Sequence, residues 1–356
     1  MRGLVALTAE IVQTMVTGHR VDSGRSGPDH FAHLIRSTPD PKTVMELSFL
    51  AYLRGRCRSL PQVALGIGDD AAVIDPIPGE QLSRQQVVCT DQIIDGVDFE
   101  SERHDLADIG YKSVAINLSD IAAMGATPRS ALVTLTLPKQ DATRIAGGVY
   151  EGILAAAEEF GLAIAGGDLT TYDGPLAISV TLLGDLPTDS AWRRSGAIEG
   201  DAILVTGPVG GSILGRHLRP RPRLDVSARL RDLAEVHAAI DISDGLSIDL
   251  DRLCAASRLG AELDVDSIPI HPDAVQLAQT TGEDPWRHAW SDGEDFELIV
   301  TMSQADADRV TDADSELEDS LVQIGHIVGR TGLWQRRGPK VDRLTPQGYV
   351  HQAQAD

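Results

Sequence analysis

Six short motifs place aspartates among small or apolar residues in this chain of 356 residues. They are Gly66–Asp70, Thr90-Asp91, Asn117–Asp120, Gly166–Asp168, Asp241–Gly245 and Asp292–Asp295. We expect acids in such surroundings to be at least partly buried, and a buried carboxylate is costly unless it is paired or binds a metal ion. The chain has only 31 Lys and Arg for 53 Asp and Glu, so cationic side chains are not the general answer. Several carboxylates together favour a hard divalent cation and indicate Mg²⁺ that carries phosphate groups.

The helical pattern from Asp105 to Met124 is the best test of burial, with Asp105 as its expected N-cap. Ser113, Asn117 and Asp120 fall at i, i+4 and i+7, which makes one polar stripe on a helix that is apolar on most other sides. Taken alone, the stripe fits a face turned to water as well as a face turned inward. The acidic motifs elsewhere in the chain favour the second interpretation, a shared interior site.

The turn around Gly66 fits the dinucleotide pattern G-x-G-x-x-A literally, with Asp91 about 20 residues further on. That interpretation requires a helix directly after the turn, and the prolines at positions 76 and 78 exclude one of useful length. Asp69 and Asp70 would also repel a pyrophosphate. We instead expect the glycines to turn the backbone sharply, so that one carboxylate binds metal and the other holds the turn.

Two further motifs follow predicted strands. Asp91 is expected at the end of a strand over Val87–Thr90, where it is either a metal ligand or an ordinary strand-to-loop cap, and Thr90 offers a hydroxyl beside it. Gly167 and its neighbouring glycine permit close approach of the backbone to a phosphate, whose Mg²⁺ Asp168 can meet.

The last two motifs lie at element boundaries. A strand is expected to become a helix at Asp241–Gly245, where Ser243 or Asp244 could be only a helix cap, although two acids and a hydroxyl exceed what a cap needs. For Asp292–Asp295, which precedes a strand over Phe296–Thr301, the simplest alternative is a turn.

Mixed helices and strands in both halves predict two α+β or α/β domains. Residues 1–43 are turn-rich and polar at their centre and are predicted to be a mobile extension. The first domain is expected over 44–186 and the second over 187–356, with the junction near 187–200.

Composition limits the binding partners and the cellular location that we expect for this chain. A formal charge of −22 argues against binding to nucleic acid. The chain has no stretch of about 18 apolar residues, so the sequence predicts no membrane-spanning helix. Three cysteines without metal-ligand spacing, and the lack of an apolar signal core, lead us to expect a reducing, cytoplasmic location.

The chain contains neither the Walker pattern G-x-x-x-x-G-K-[ST] nor the glycine loop of protein kinases. A phosphoryl-transfer enzyme with this sequence would therefore use metals and carboxylates where those proteins use a loop lysine.

Taken together and in this order, the motifs resemble those of the thiamine-monophosphate kinase family, in the aminoimidazole-ribonucleotide-synthetase-like superfamily. The resemblance covers the chain from about Met45 onward. Its residues are the motifs above together with Tyr111-Lys112, Ile121–Ala126, Arg194–Gly196 and Leu246. It implies ATP-dependent phosphorylation of thiamine phosphate to thiamine diphosphate by a two-domain protein that dimerises through its N-terminal domains and holds several Mg²⁺.

The resemblance also implies roles for single residues. Metal ligands are expected at Asp70, Thr90, Asp91, Asp120, Asp168, Asp241 and Asp244. Contacts with ATP are expected at Gly167, Asp168, Arg194 and Ser243, and contacts with thiamine phosphate at Asp98, Glu294 and Tyr349. No covalent nucleophile is implied, and Asp91 and Asp120 would support an in-line transfer.

Three positions depart from the family pattern: Cys89 replaces a frequent Ser, Asp98 replaces the His of some members, and Pro346 replaces a frequent aromatic residue. Rival interpretations are selenophosphate synthetase, which needs a reactive Cys near its N-terminus, and the hydrogenase-maturation relative, which ends in Cys. A Mg²⁺-nucleotide binding protein without catalysis is the alternative of a different class.

Overall fold

The computed structural model describes residues 63–75, 83–313, 320–337 and 340–350. All of them belong to one compact unit that spans Glu46–Asp356. The predicted extension over 1–43 lies outside the described residues.

The first half of the described chain forms a six-stranded sheet and two helices. Its elements are β1 (Val63–Leu65), β2 (Ala72–Ile74), β3 (Arg84–Ile94), α1 (Leu106–Ala123), β4 (Thr127–Pro138), α2 (Ala142–Glu159), β5 (Ala163–Tyr172) and β6 (Ala177–Pro187). The strand order is β1-β2-β3-β6-β4-β5, and only the β4–β5 pair is parallel.

The second half forms a seven-stranded sheet with five further α-helices among the described residues. Its elements are β7 (Ala202–Val205), α3 (Leu224–Leu233), β8 (Val236–Asp241), α4 (Leu246–Ser257), β9 (Gly260–Leu263), α5 (Pro272–Thr281), α6 (Pro285–Ser291), β10 (Leu298–Met302), α7 (Gln304–Ala313), β11 (Val322–Val328), β12 (Gly332–Arg337) and β13 (Lys340–Leu344). The order is β13-β12-β9-β11-β7-β10-β8.

Helix α1 connects the two halves. Asp105 caps it by accepting the backbone N–H of Ala107 at 2.7 Å, as predicted. Most of its residues are buried, because its body packs with β3, β4 and β6 in one core while its last alanines, Ala122 and Ala123, pack with side chains of β7, β8 and β10. Each large aliphatic side chain buried in this way contributes about 1.5–3 kcal/mol. The helix is therefore fixed between the sheets, and whatever it carries on its inner face is held there.

The predicted fold class is confirmed, as are the existence and type of the expected helices and strands within the described residues. Two strand lengths were wrong. β3 continues to Ile94, because it pairs with β6 along its whole length, so Asp91 lies inside the strand and not at its end. β5 continues through Gly166–Asp168 to Tyr172, because β4 pairs with it over that stretch.

The sheets separate where the junction was expected, since β6 ends at Pro187 and β7 begins at Ala202. The domain limits of 44–186 and 187–356 stay a prediction. Within the described ranges, no helix is both long enough and apolar enough to cross a bilayer.

Candidate active site

The polar stripe of α1 faces the interior. Ser113 and Asn117 are buried, and both satisfy their side chains on the helix itself: Ser113 donates to Gly110 O at 2.8 Å and Asn117 donates to Ser113 O at 3.1 Å. Asp120, one turn further on, lines a cavity. The interpretation of the stripe as part of an interior site is confirmed, and the solvent-facing alternative is excluded.

The Gly66–Asp70 turn docks against Arg194. Asp69 accepts the backbone N–H of Arg194 at 2.8 Å, and Asp70 accepts from its guanidinium Nε at 3.2 Å and terminal nitrogen at 2.6 Å. β2 follows the turn, so the dinucleotide interpretation is excluded by the fold. The two adjacent acids have different surroundings: Asp69 fastens the turn to the backbone of Arg194, and Asp70 lies beside other carboxylates, while its role as a metal ligand stays a prediction.

Asp241 ends β8 and is almost fully buried. The hydroxyl of Ser119, on α1, donates to its Oδ2 at 2.7 Å. This hydrogen bond joins an acid of the second half to the helix of the first half. It also fixes the orientation of the Asp241 carboxylate.

Neither Ser243 nor Asp244 caps the helix that follows Asp241, so the interpretation of these two residues as only a helix cap is excluded. The N-cap of α4 is Gly245, and the carboxylate of Asp249 accepts the backbone N–H groups of Asp244 and Gly245 at 2.9 and 3.0 Å. Ser243 and Asp244 are left to line the cavity, where Arg252 pairs with the Asp244 carboxylate.

Three carboxylates from three separate elements form an acid cluster: Asp70, Asp120 and Asp241. Each offers an oxygen, and these oxygens lie within 4.8 Å of one another. Asp91 adjoins the cluster, close enough for the Asp120 and Asp70 carboxylates to affect its pKa. Four of the seven metal ligands implied by the resemblance thus meet at one place.

Burial dominates the electrostatics of these acids. It raises the pKa of Asp120 and of Asp241 well above the usual value, and neighbouring carboxylates raise both further. Burial also raises the pKa of Asp91 to about 6. The positive charge of Arg194 lowers the pKa of Asp120 and of Asp241, but it does not cancel the increase caused by burial and by the other acids. In the absence of another cation, the cluster retains protons.

The donor set fits Mg²⁺. Hard divalent ions take carboxylate oxygens, and a cation would remove the mutual repulsion that raises these pKa values. Cys89 is a poor further ligand: it is buried against Asn117, and burial, with Asp120 and Asp91 nearby, raises the pKa of its thiol well above its usual value.

A cavity of about 630 Å³ opens beside the acid cluster. Eight residues named from the sequence line it: Asp91, Asp98, Asp120, Asp241, Ser243, Asp244, Glu294 and Tyr349. They come from both halves of the chain. A volume of this size suits a small-molecule ligand.

Hydrogen bonds to backbone groups hold two of the residues expected to contact thiamine phosphate. Asp98 accepts the N–H of Ile94 on its carboxylate at 2.8 Å. Tyr349 donates its N–H to Asp244 O at 2.9 Å. Gly348 permits this approach, since a Cβ there would lie 2.5 Å from the same carbonyl oxygen.

Sequence reasoning missed the role of Lys112. Its side chain is fully buried, and its Nζ lies 2.5 Å from Glu294 Oε1 and 2.9 Å from Asp98 O. The available signal was a single lysine in the middle of an apolar helix.

The motif at Asp292–Asp295 both anchors a neighbouring loop and lines the cavity. Asp295 accepts the N–H of Gly210 at 2.8 and 2.9 Å and pairs with Arg216, and Asp292 accepts the N–H of Gly211 at 3.0 Å. These acids hold the glycine loop after β7. The motif is an irregular segment between α6 and β10 and not a turn, and Asp292 and Glu294 both line the cavity.

The chain does not bring Thr90 and Asp168 to the acid cluster. Asp168 pairs across the sheet with Thr134, then Ser179, then Gln92, and residues paired in this way share one face. Asp91 faces the other side, and three strand spacings separate the two strands by roughly 14 Å. Thr90 lies on the same face as Asp168 and donates to Val180 O at 3.1 Å.

Gly167 lies in β5 beside Asp168, at φ +154°. A Cβ at this position would lie 1.8 Å from Val133 O, so only glycine fits against β4. The local reason for this glycine is strand packing, whatever it binds.

Comparison with known proteins places these features in a family context. Residues 68–186 match the family model described as AIR synthase related protein, N-terminal domain, and residues 194–333 match AIR synthase related protein, C-terminal domain.

A thiamine-monophosphate kinase of Rhodopirellula baltica is 60% identical over 311 residues, which cover 86% of this chain and 97% of that protein. The solved structure described as AaThiL complexed with AMPPCP and TMP has a TM-score of 0.74 at 25% identity and covers 88% of this chain and 99% of its own. The crystal structure of the thiamine-monophosphate kinase from Stenotrophomonas maltophilia K279a has a TM-score of 0.64 at 33% identity and covers 82% and 96%.

Proposed function

Because the chain belongs to the thiamine-monophosphate kinase family, we propose that it transfers the γ-phosphoryl group of ATP to the phosphate of thiamine phosphate. The product is thiamine diphosphate. The observation that carries this proposal is the acid cluster beside a cavity lined by residues from both halves of the chain.

Mg²⁺ would be held by Asp70, Asp91, Asp120 and Asp241, with Asp244 at the cavity wall. Bound there, it would neutralise the charge of the triphosphate and of the phosphoryl group during its transfer. The chain prepares the ligands for this: Arg194 orients Asp70, and Ser119 orients Asp241. Arg194 and Ser243 are the proposed contacts with ATP.

Asp98, Glu294 and Tyr349 are proposed to bind and orient thiamine phosphate. The acceptor is an anionic phosphate oxygen, which needs no general base to attack in line. The protein therefore contributes alignment and charge stabilisation, which are the main sources of catalysis in phosphoryl transfer.

The proposal includes a homodimer. Asp168 lies on an exposed face of the sheet, on its edge strand β5, remote from the acid cluster of its own chain. Leu132 of β4 is exposed on the same face as Asp168, so a second copy has apolar surface to cover there. A partner bound at this face would bring its Asp168 and Gly167 to the nucleotide.

The experiment for the reaction is a coupled assay of ADP release with Mg-ATP and a panel of acceptors: thiamine phosphate, thiamine, aminoimidazole precursors and selenide. We expect ADP release to require thiamine phosphate and to match the thiamine diphosphate formed. Nucleotide binding without transfer, or preference for another acceptor, would overturn the proposal.

The experiment for the shared site mixes two inactive variants, Asp120→Asn and Asp168→Asn. If Asp168 serves the partner's site, a mixed dimer contains one intact site and one with both changes. A statistical mixture then recovers about a quarter of wild-type activity. Recovery would be absent if both residues served the same chain.

A further inference from the structure

Lys112 is the largest fully buried side chain among the described residues. It lies in α1 between Ile109 and Ser113, where nearly every neighbour is also buried. Burying an ammonium group is costly unless it is paired and hydrogen-bonded. A methionine would fill the same space at lower cost, so the charge calls for a reason.

The two contacts of Lys112 are with residues of two different segments that line the cavity. Its Nζ donates to Asp98 O at 2.9 Å, in the loop after β3, and pairs with Glu294 Oε1 at 2.5 Å, in the loop before β10. The first loop belongs to the half with the six-stranded sheet and the second to the half with the seven-stranded sheet. One buried ammonium group therefore links the two loops.

Glu294 depends on this link for its orientation. Its backbone is fixed, with φ +61° and its N–H donated to Ser243 O at 2.7 Å. Its side chain is 34% exposed, against 1% for Lys112, so the carboxylate reaches the cavity while one oxygen stays on the lysine. The lysine itself does not line the cavity, and any effect on a ligand must pass through the groups it holds.

We infer that Lys112 is a positioning residue for the phosphoryl acceptor: it holds the Glu294 carboxylate and the Asp98 loop in the geometry that binds thiamine phosphate. This inference rests on the proposed function. The amino group and the cationic ring of thiamine phosphate are groups that an oriented carboxylate binds. The contacts of Lys112 do not include the acids proposed for Mg-ATP: Asp120 lies on the same helix but about two turns further on, and the others lie on other elements.

The test compares Lys112→Met, Lys112→Gln and Lys112→Arg with wild type, with KM measured separately for thiamine phosphate and for Mg-ATP. We expect Lys112→Met to raise KM for thiamine phosphate about tenfold or more, the effect of one lost charge-assisted hydrogen bond. KM for Mg-ATP should change by less than about twofold. Lys112→Arg should recover part of the loss, because it keeps a cation.

Two controls separate positioning from a structural role. Lys139→Met removes an exposed Lys139–Asp173 pair of 2.7 Å and should change neither KM. The double variant Lys112→Met/Glu294→Gln should resemble the more impaired single variant, since both changes break one contact.

Equal changes in both KM values, full additivity in the double variant, or loss of folding in all three Lys112 variants would overturn the inference. A wild-type protein that does not phosphorylate thiamine phosphate would instead overturn the proposed function. The two failures are therefore distinguishable.

Discussion

Replacing Asp120 by Asn removes one charge from the acid cluster and keeps the size of the side chain. The charged neighbours that most affect Asp120 are the acids Asp91, Asp241 and Asp70, and within the described residues no cationic side chain forms an ion pair with it. Burial and its acidic neighbours raise its pKa well above the usual value. We expect the substitution to stabilise the metal-free protein and to abolish most of its activity.

The size of the stabilisation follows from the spacing. Two unit charges 4.8 Å apart repel by about 3.5 kcal/mol at an effective dielectric constant of about 20. Protons retained by Asp120 and Asp241 already relieve part of this repulsion. We therefore expect a gain of about 1–3 kcal/mol, which for a chain of this size raises Tm by roughly 1–4 °C.

The assay is thermal unfolding of wild type and Asp120→Asn, each with and without Mg²⁺, together with kcat. Mg²⁺ at about 100 times its Kd stabilises a protein by about 2.7 kcal/mol, and the variant should gain much less than wild type. Its kcat should fall about 100-fold or more. Asp173→Asn, at an exposed position, is the control and should change neither quantity.

A variant that is less stable than wild type without metal, and that responds to Mg²⁺ as wild type does, would refute the reasoning. It would mean that the three carboxylates do not share a cation. Near-normal turnover would refute the assignment of Asp120 to the transfer step.

Three further predictions concern the sheet, the cluster and its protons. Gly167→Ala should lower the free energy of unfolding by at least about 2 kcal/mol, because its Cβ would lie 1.8 Å from a carbonyl oxygen. Gly147→Ala is the control: its Cβ would have no atom within 4 Å, so it should stabilise its helix by about 0.5–1 kcal/mol. Urea unfolding compares the two variants. Ser119→Ala should cost about 1–3 kcal/mol and weaken Mg²⁺ binding, because Asp241 loses its donor; calorimetry measures the affinity. Because the pKa of Asp91 is raised from 3.8 to about 6, its contribution to metal-free stability is full below about pH 4 and is lost as pH rises through about 6. Mg²⁺ should therefore stabilise the protein more at about pH 8 than at about pH 5, and its binding should release protons. Calorimetry in buffers of different ionisation enthalpy measures this release, and binding without it would contradict the prediction.

Local signals predicted the elements that local interactions determine. The start of α1 followed from Asp105, because an N-cap acts within one turn of its own helix. The burial of Asn117 followed only when the acidic motifs elsewhere in the chain were considered, since its own helix fitted a face turned to water equally well. Strand lengths were harder: β3 extends through Asp91 and Gln92 because β6 pairs with them, and no residue near them in sequence signals that partner.

The site shows the same division. The acids were identifiable from their apolar settings, and Asp70, Asp120 and Asp241 do converge. The contact between Lys112 and Glu294 was not predictable, since the two residues lie in different halves of the chain and nothing near either indicates the other. The position of Asp168 depends on the order of the strands in the sheet, which no residue near it indicates, and its proposed role depends on a second copy.

The acid cluster is oriented before any cation arrives. Asp70 is held by Arg194 and Asp241 by Ser119, so each carboxylate gives one donor an oxygen and keeps capacity for a further partner. Asp120 differs, because burial and the neighbouring acids Asp91, Asp241 and Asp70 raise its pKa well above the usual value. The packing that fixes α1 between the sheets also removes water from Asp120. The free energy that makes this carboxylate unfavourable without a cation is therefore the same free energy that favours Mg²⁺ at the site.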